Sequence, residues 1–218
     1  MTRTDILASI EASALVAIVR GNFQPEQVLE IGHALVRGGI SAIEVTLNSD
    51  RALEAISLLE QNLGDNVLIG AGTVVAPDQV DEAVAAGARY LIAPGLDSAC
   101  VERARRRGVP FIPGVFTATE IGLALAHECR LLKLFPASEV RPQYLAAMRG
   151  PFPQARFMVT GGIGLAEIAK YHLAGATAFG MGSNLVKHGR PPEEIEVIAG
   201  QLVRELARVR AAAVGLTS

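Results

Sequence analysis

Leu131-Leu132-Lys133-Leu134-Phe135-Pro136 is a strand-length apolar run with one lysine in its middle. Runs that are hydrophobic on both alternating sides are buried on two faces, as the strands of a parallel sheet wrapped by helices are. The same pattern recurs along the chain: a short β-rich apolar run, a turn with glycine or a capping residue, then an alanine- and leucine-rich helical stretch. The apolar runs fall at 15–20, 42–47, 68–73, 90–95, 110–115, 131–136, 156–161 and 178–183, which makes eight. Helical patterns lie between them at 25–38, 50–62, 77–87, 98–107, 117–128, 142–149 and 164–174, with a last amphipathic one at 192–211. Successive strand starts are roughly 20–27 residues apart, the length of one strand-helix unit.

Eight such units without a long linker, charge block or low-complexity segment predict an α/β chain closed into a (β/α)8 TIM barrel, a single domain over 1–218. Chains of this length commonly form such a barrel as one domain. The alternative is an open doubly wound sheet. That fold favours a Gly-x-Gly-x-x-Gly turn after its first strand, where this chain has Arg20-Gly21-Asn22-Phe23.

Composition narrows the function classes. Lys and Arg number 20 against 22 Asp and Glu, a net charge of −2, which gives no general attraction to nucleic acid or an anionic membrane. No apolar run reaches the length of a membrane span, and the N-terminal stretch lacks the basic segment and apolar core of a signal peptide. Cys100 and Cys129 have no metal-ligand spacing and are too few for a disulfide framework, so they read as buried free thiols in a reducing cytoplasm. His33, His127, His172 and His188 fall on predicted helices or a loop, without metal-ligand spacing, and are read as surface or packing residues. Arg103, Arg105, Arg106 and Arg107 end a helix, where cations favour its dipole. In the last helix Ile195, Val197, Ile198, Leu202, Val203, Leu206 and Val209 read as packing against the barrel.

A barrel of this kind carries its chemistry at the carboxyl ends of its strands. Strand one ends at Arg20, strand three in Gly70-Ala71-Gly72-Thr73, strand four in Ala93-Pro94-Gly95 and strand five in Pro113-Gly114-Val115. Strand two carries Glu44, and strand six carries Lys133 with Phe135 two residues on. Alternation puts Glu44 with Thr46 and Lys133 with Phe135, so both charges can point into the barrel. A buried unpaired ammonium or carboxylate costs several kcal/mol or more. A neutral lysine in a dry pocket is a nucleophile for a ketone, and a neighbouring carboxylate can move the protons. The bland alternative is a buried salt bridge that fills the barrel. Strands seven and eight end in Thr160-Gly161-Gly162 and Gly180-Met181-Gly182-Ser183, whose small residues suit a phosphate site.

Taken together, Val45-Thr46-Leu47 after Glu44, Gly70-Ala71-Gly72-Thr73, Pro113-Gly114-Val115, Lys133-Leu134-Phe135-Pro136 and Thr160-Gly161-Gly162-Ile163 resemble the 2-keto-3-deoxy-6-phosphogluconate aldolases. These include enzymes that also cleave 4-hydroxy-2-oxoglutarate, and the likeness runs from about residue 5 to 210. The resemblance implies a metal-independent class I aldolase without a cofactor, a homotrimer acting on a phosphorylated 2-keto sugar acid. It implies that Lys133 forms the Schiff base and Glu44 shuttles protons. Thr73 would hold the pyruvate carboxylate, and Arg20, Pro94, Phe135 and Thr160 would line the substrate pocket. Gly161, Gly162, Gly182 and Ser183 would take the phosphate.

One departure bears on the substrate. Many gluconate-specific members carry Leu-Arg-Thr where this chain has Leu47-Asn48-Ser49. That run, with Arg20-Gly21 and Pro142-Gln143-Tyr144, resembles the sister 2-keto-3-deoxy-6-phosphogalactonate aldolases, which act on the C4 epimer. Thr160 is of the gluconate type, and the gluconate substrate is the preferred expectation. A phosphate-binding isomerase or epimerase would not need the strand-six lysine, and a non-catalytic barrel would gain nothing from two buried charges.

Overall fold

The computed structural model describes residues 1–215, with side chains as far as Ala212. The last positions of the expected unit, 216–218, lie outside the described residues.

The eight predicted runs form parallel strands: β1 Leu15–Val19, β2 Ala42–Thr46, β3 Leu68–Gly72, β4 Tyr90–Ile92, β5 Phe111–Ile112, β6 Gly114–Val115, β7 Leu131–Leu134, β8 Arg156–Thr160 and β9 Ala178–Met181. The count is nine because Pro113 divides the fifth run. Proline has no N–H for the ladder and interrupts regular pairing there. In the strand order β5-β4-β3-β2-β1-β9-β8-β7-β6 the two ends are the two halves of this one run, so the sheet closes on itself. The carbonyl of Pro113 still accepts from the Lys133 N–H at 2.8 Å across the break. Gly114 is required there, since a Cβ would stand 2.1 Å from the Pro94 carbonyl oxygen.

The helices α2 Pro25–Arg37, α3 Ala52–Leu63, α4 Pro77–Ala85, α5 Ser98–Arg106, α6 Ala118–Ala126, α7 Pro142–Arg149, α8 Leu165–Leu173 and α9 Pro192–Gly215 follow the strands and pack around them. Most begin where a cap or proline marks it, α3 being the exception, with Arg51 in a left-handed conformation before it and no side-chain cap. Thr117 and Glu120 form a capping box for α6, Asp97 caps α5, and α2, α4 and α7 open on proline. The last helix packs on α2 and α8 as expected through Ile195, Leu202, Leu206 and Val209. Val197 is a correction: it is 57% exposed and takes no part in that packing.

A further helix, α1 Arg3–Ser13, was not expected from the pattern. It caps itself through Thr2 and Asp5 and buries only Ile6 and Ile10. It lies against the starts of the strands, where Glu11 pairs with Arg156 and its carbonyl, with that of Ala12, accepts from Arg210 of α9. The end of the barrel away from the strand carboxyl termini is therefore covered, and the opposite end is left open for a site.

Candidate active site

The strand carboxyl ends enclose a cavity of about 340 Å³ lined by Arg20, Glu44, Thr73, Pro94, Lys133, Phe135, Thr160, Gly161, Gly162, Gly182 and Ser183. Every residue expected at the site thus faces one space. Asn48, Asn184, Lys187 and His188 line it too.

Glu44 is completely buried in the middle of β2, and neither carboxylate oxygen has a hydrogen-bond partner. Its place depends on β3. Thr46 pairs in register with Gly72, and a Cβ at Gly72 would come within 1.7 Å of Glu44 Oε1. Glycine removes the side chain that would fill the space the carboxylate takes. Burial raises the Glu44 carboxyl above its ordinary range, while the positive charges of Lys133 and Arg20 pull it back. Neither flanking cation forms a hydrogen bond with the Glu44 oxygens.

Lys133 stands on β7, 6% exposed, with its Nζ 5.0 Å from the centre of the Phe135 ring. Leu132 and Leu134 alternate with it and are buried. The amine is held on an apolar wall with its tip toward the cavity. Burying these two charges costs several kcal/mol, a large part of the 5–15 kcal/mol by which a domain is usually stable.

Two more features point to binding rather than packing. Thr160 is buried, and its Oγ1 has no partner. Its methyl and hydroxyl occupy the space over Gly180, where a Cβ would lie 2.4 Å from Oγ1. Thr73 has φ of 58°, a left-handed conformation that is strained for a β-branched residue by about 1–3 kcal/mol. Thr73 lines the cavity, as Pro94 does.

The loops around the mouth are tied together by side chains. Ser49 Oγ lies 2.9 Å from Thr46 Oγ1 and accepts from the Gly21 N–H at 3.1 Å, which joins the loop carrying Arg20 to the loop carrying Asn48. Across the cavity, Asn184 Nδ2 donates to the Ile163 carbonyl at 2.9 Å and joins the two glycine loops. Gly161 and Gly162 have φ of 99° and 72° and run close under Phe135 and Ser138, a path a side chain would obstruct. Open backbone of this kind before the N-terminus of α8 suits an anion.

His188 keeps its reading as a surface and packing residue, being exposed, but it also stands at the cavity. It lines the cavity from the loop after β9 and stacks on Phe23 at 5.8 Å between ring centres. Lys187 beside it brings the positive charge that the glycine loops lack. Neither lies in a periodic element, and only their position three and four residues beyond the Gly182-Ser183-Asn184 turn could have flagged them. Among the described residues no three His, Cys, Asp or Glu side chains gather closely enough to hold a metal ion. No described helix is long and apolar enough to cross a membrane.

Comparison with known proteins adds to this geometry. The chain is 35% identical over 192 residues to the 2-dehydro-3-deoxy-6-phosphogalactonate aldolase of Escherichia coli (strain K12), covering 87% of this chain and 93% of that one. It is 37% identical over 194 residues to the 2-dehydro-3-deoxy-phosphogluconate aldolase of Dickeya dadantii (strain 3937), covering 88% of each. A crystal structure of KDPG aldolase from Legionella pneumophila, with pyruvate captured as a covalent carbinolamine intermediate, superposes with a TM-score of 0.78 at 34% identity, covering 92% of this chain and 96% of that one. The family model "KDPG and KHG aldolase" matches residues 6–198, so the chain belongs to that family and is an aldolase.

Proposed function

We propose that the enzyme cleaves 2-keto-3-deoxy-6-phosphogluconate to pyruvate and glyceraldehyde 3-phosphate through a Schiff base on Lys133. The observation that carries this reading is the buried pair itself: an amine and an unpartnered carboxylate on nonadjacent strands of one cavity. Glu44 takes a proton from the Lys133 ammonium, the neutral amine attacks the C2 ketone, and the proton returns from Glu44 to the departing hydroxyl, which leaves as water and gives a protonated imine that accepts electrons. Glu44, directly or through a water, takes the proton of the C4 hydroxyl. The C3–C4 bond breaks, its electron pair enters the imine, and the aldehyde leaves. Glu44 returns its proton to C3 of the enamine, and hydrolysis of the imine frees pyruvate and the amine.

The remaining residues bind. Thr73 and Arg20 take the substrate carboxylate, and Pro94 and Phe135 wall the pyruvate end. Gly161, Gly162, Gly182 and Ser183 hold the phosphate by backbone N–H groups and a hydroxyl, with Lys187 adding charge. Phosphate binding remote from the breaking bond positions the substrate and so supports turnover as well as affinity. Thr160, the residue of the gluconate type at this position, supports the gluconate epimer, and its buried, unpartnered hydroxyl is available to a substrate oxygen. Activity on 4-hydroxy-2-oxoglutarate, a homotrimeric assembly and the Entner-Doudoroff pathway belong to the same reading. So does a reducing cytoplasm, in keeping with two free, buried cysteines.

A second reading is the galactonate epimer. Asn48 supports it, since this uncharged side chain lines the cavity where an arginine would pair with a carboxylate. Comparing kcat/KM for the two C4 epimers, with pyruvate followed through lactate dehydrogenase, separates the readings. The gluconate epimer is expected to be the better substrate. A preference for the galactonate epimer overturns the first reading in favour of the second.

A further inference from the structure

Tyr90, the first residue of β4, is a titratable side chain inside the barrel that the chemistry above leaves unused. It is fully buried, and its hydroxyl has no hydrogen-bond partner. Both oxygens of Glu44 are in the same condition. The parallel register sets Glu44 opposite Gly70 and Gly70 opposite Tyr90, so one strand separates the two.

That strand presents glycine at alternate positions toward the barrel interior. A Cβ at Gly70 would lie 2.4 Å from Cζ and Cε2 of the Tyr90 ring, and one at Gly72 would lie 1.7 Å from Glu44 Oε1. The hydroxyl-bearing end of the ring therefore fills the space over one glycine. The carboxylate fills the space over the next, about 7 Å further along the strand. A phenylalanine would pack the same ring without burying an unpaired hydroxyl, which is unfavourable in an apolar setting. Packing alone does not account for the hydroxyl.

We propose that Tyr90 is a positioning residue for Glu44, its hydroxyl serving as the donor inside the barrel that holds the carboxylate ionised and aimed at the cavity through one bridging water. This rests on the reading of Glu44 as the proton carrier. Burial, and then the charge of Glu44, push the Tyr90 phenol well above its ordinary range, so it stays protonated and can only donate at neutral pH. The other charged groups acting on Glu44 are Lys133 from β7 and Arg20 beyond β1. Lys187 and His188 stand at the same cavity. A hydrogen bond to the charged form lowers a carboxyl pKa, and its loss raises it.

The test is Tyr90→Phe, read by the titration of the Glu44 side-chain carboxyl in glutamate-labelled protein by carbon NMR, with the resonance assigned by Glu44→Gln. The pH profile of kcat is measured beside it. The Glu44 titration and the acid limb of kcat are both expected to move up by about one pH unit. KM at pH above the limb stays near wild type. An unchanged Glu44 titration in the folded variant overturns the proposal. A wild-type acid limb that does not follow the Glu44 titration overturns instead the assignment of Glu44 as proton carrier, and the NMR readout keeps the two failures apart. If Tyr90→Phe does not fold, replacing all three tyrosines with 3-fluorotyrosine gives a more acidic donor and is expected to move the Glu44 titration down. Tyr144 and Tyr171 already donate to the carbonyls of Phe116, and of Ala137 and Val140, so they do not confound that shift. No shift there overturns the proposal equally.

Discussion

Adding a single methyl group at Gly72 displaces the Glu44 carboxylate. In Gly72→Ala the new Cβ would stand 1.7 Å from Oε1, 2.5 Å from Cδ and 2.7 Å from Cγ of Glu44. Relief to a contact of 3.0 Å moves Oε1 by at least 1.3 Å. The backbone cannot absorb the shift easily, because β3 is paired on both sides, with β2 and with β4. A misplacement of about 1 Å in a reacting group costs on the order of 100-fold in rate, and overpacking a filled interior costs about 1–3 kcal/mol of stability. Gly72→Ala is therefore expected to fold with a lower Tm and to lose about 100-fold in kcat, with KM much less affected. Pyruvate release through lactate dehydrogenase measures the rate, and calorimetry measures the Tm. A folded Gly72→Ala with wild-type kcat refutes the placement of Glu44 as a reacting group.

Glu44→Gln is expected to lose about 100- to 10,000-fold in kcat while raising stability at neutral pH. Because burial raises the Glu44 carboxyl in the folded state, the folded protein holds its proton more tightly than the unfolded chain. Stability therefore falls as pH rises from the ordinary glutamate value through the raised one, then levels off. The Tm gain of Glu44→Gln should be absent near about pH 4 and complete above the folded-state pKa; thermal melts across that range check it, and a gain independent of pH contradicts it. In the proposed reading Arg20 takes the substrate carboxylate, so Arg20→Ala should weaken pyruvate and substrate binding with a raised KM, and pyruvate affinity measured by calorimetry at the wild-type value would remove it from that role.

The barrel was legible because its strands are buried on both faces, and runs such as Ala42–Thr46 and Leu68–Gly72 are buried from end to end. The interruption at Pro113 was harder to read, since a proline in an apolar run marks a break only when its neighbours' pairing is known. Helix α1 was missed because it buries only Ile6 and Ile10, although the Thr2-x-x-Asp5 capping box announces its start. At the site, Lys133 and Glu44 stood out as charges inside apolar strands, an anomaly visible without coordinates. The roles of Gly70, Gly72 and Gly180 were not visible. A strand glycine says only that a side chain is missing there, and what occupies the space comes from a neighbouring strand. Lys187 escaped notice, and the place of His188 at the cavity was not visible, because loop residues carry no periodicity and their arrival there follows from the turn at Gly182-Ser183-Asn184 alone.

The central claim is that Lys133 carries the substrate covalently. Incubating the enzyme with pyruvate and borohydride reduces any imine to a stable amine, and digestion with mass analysis locates it. The account predicts one reduced pyruvate adduct per chain on Lys133 and none in Lys133→Ala. An adduct on another lysine, or none in the active enzyme, would contradict it.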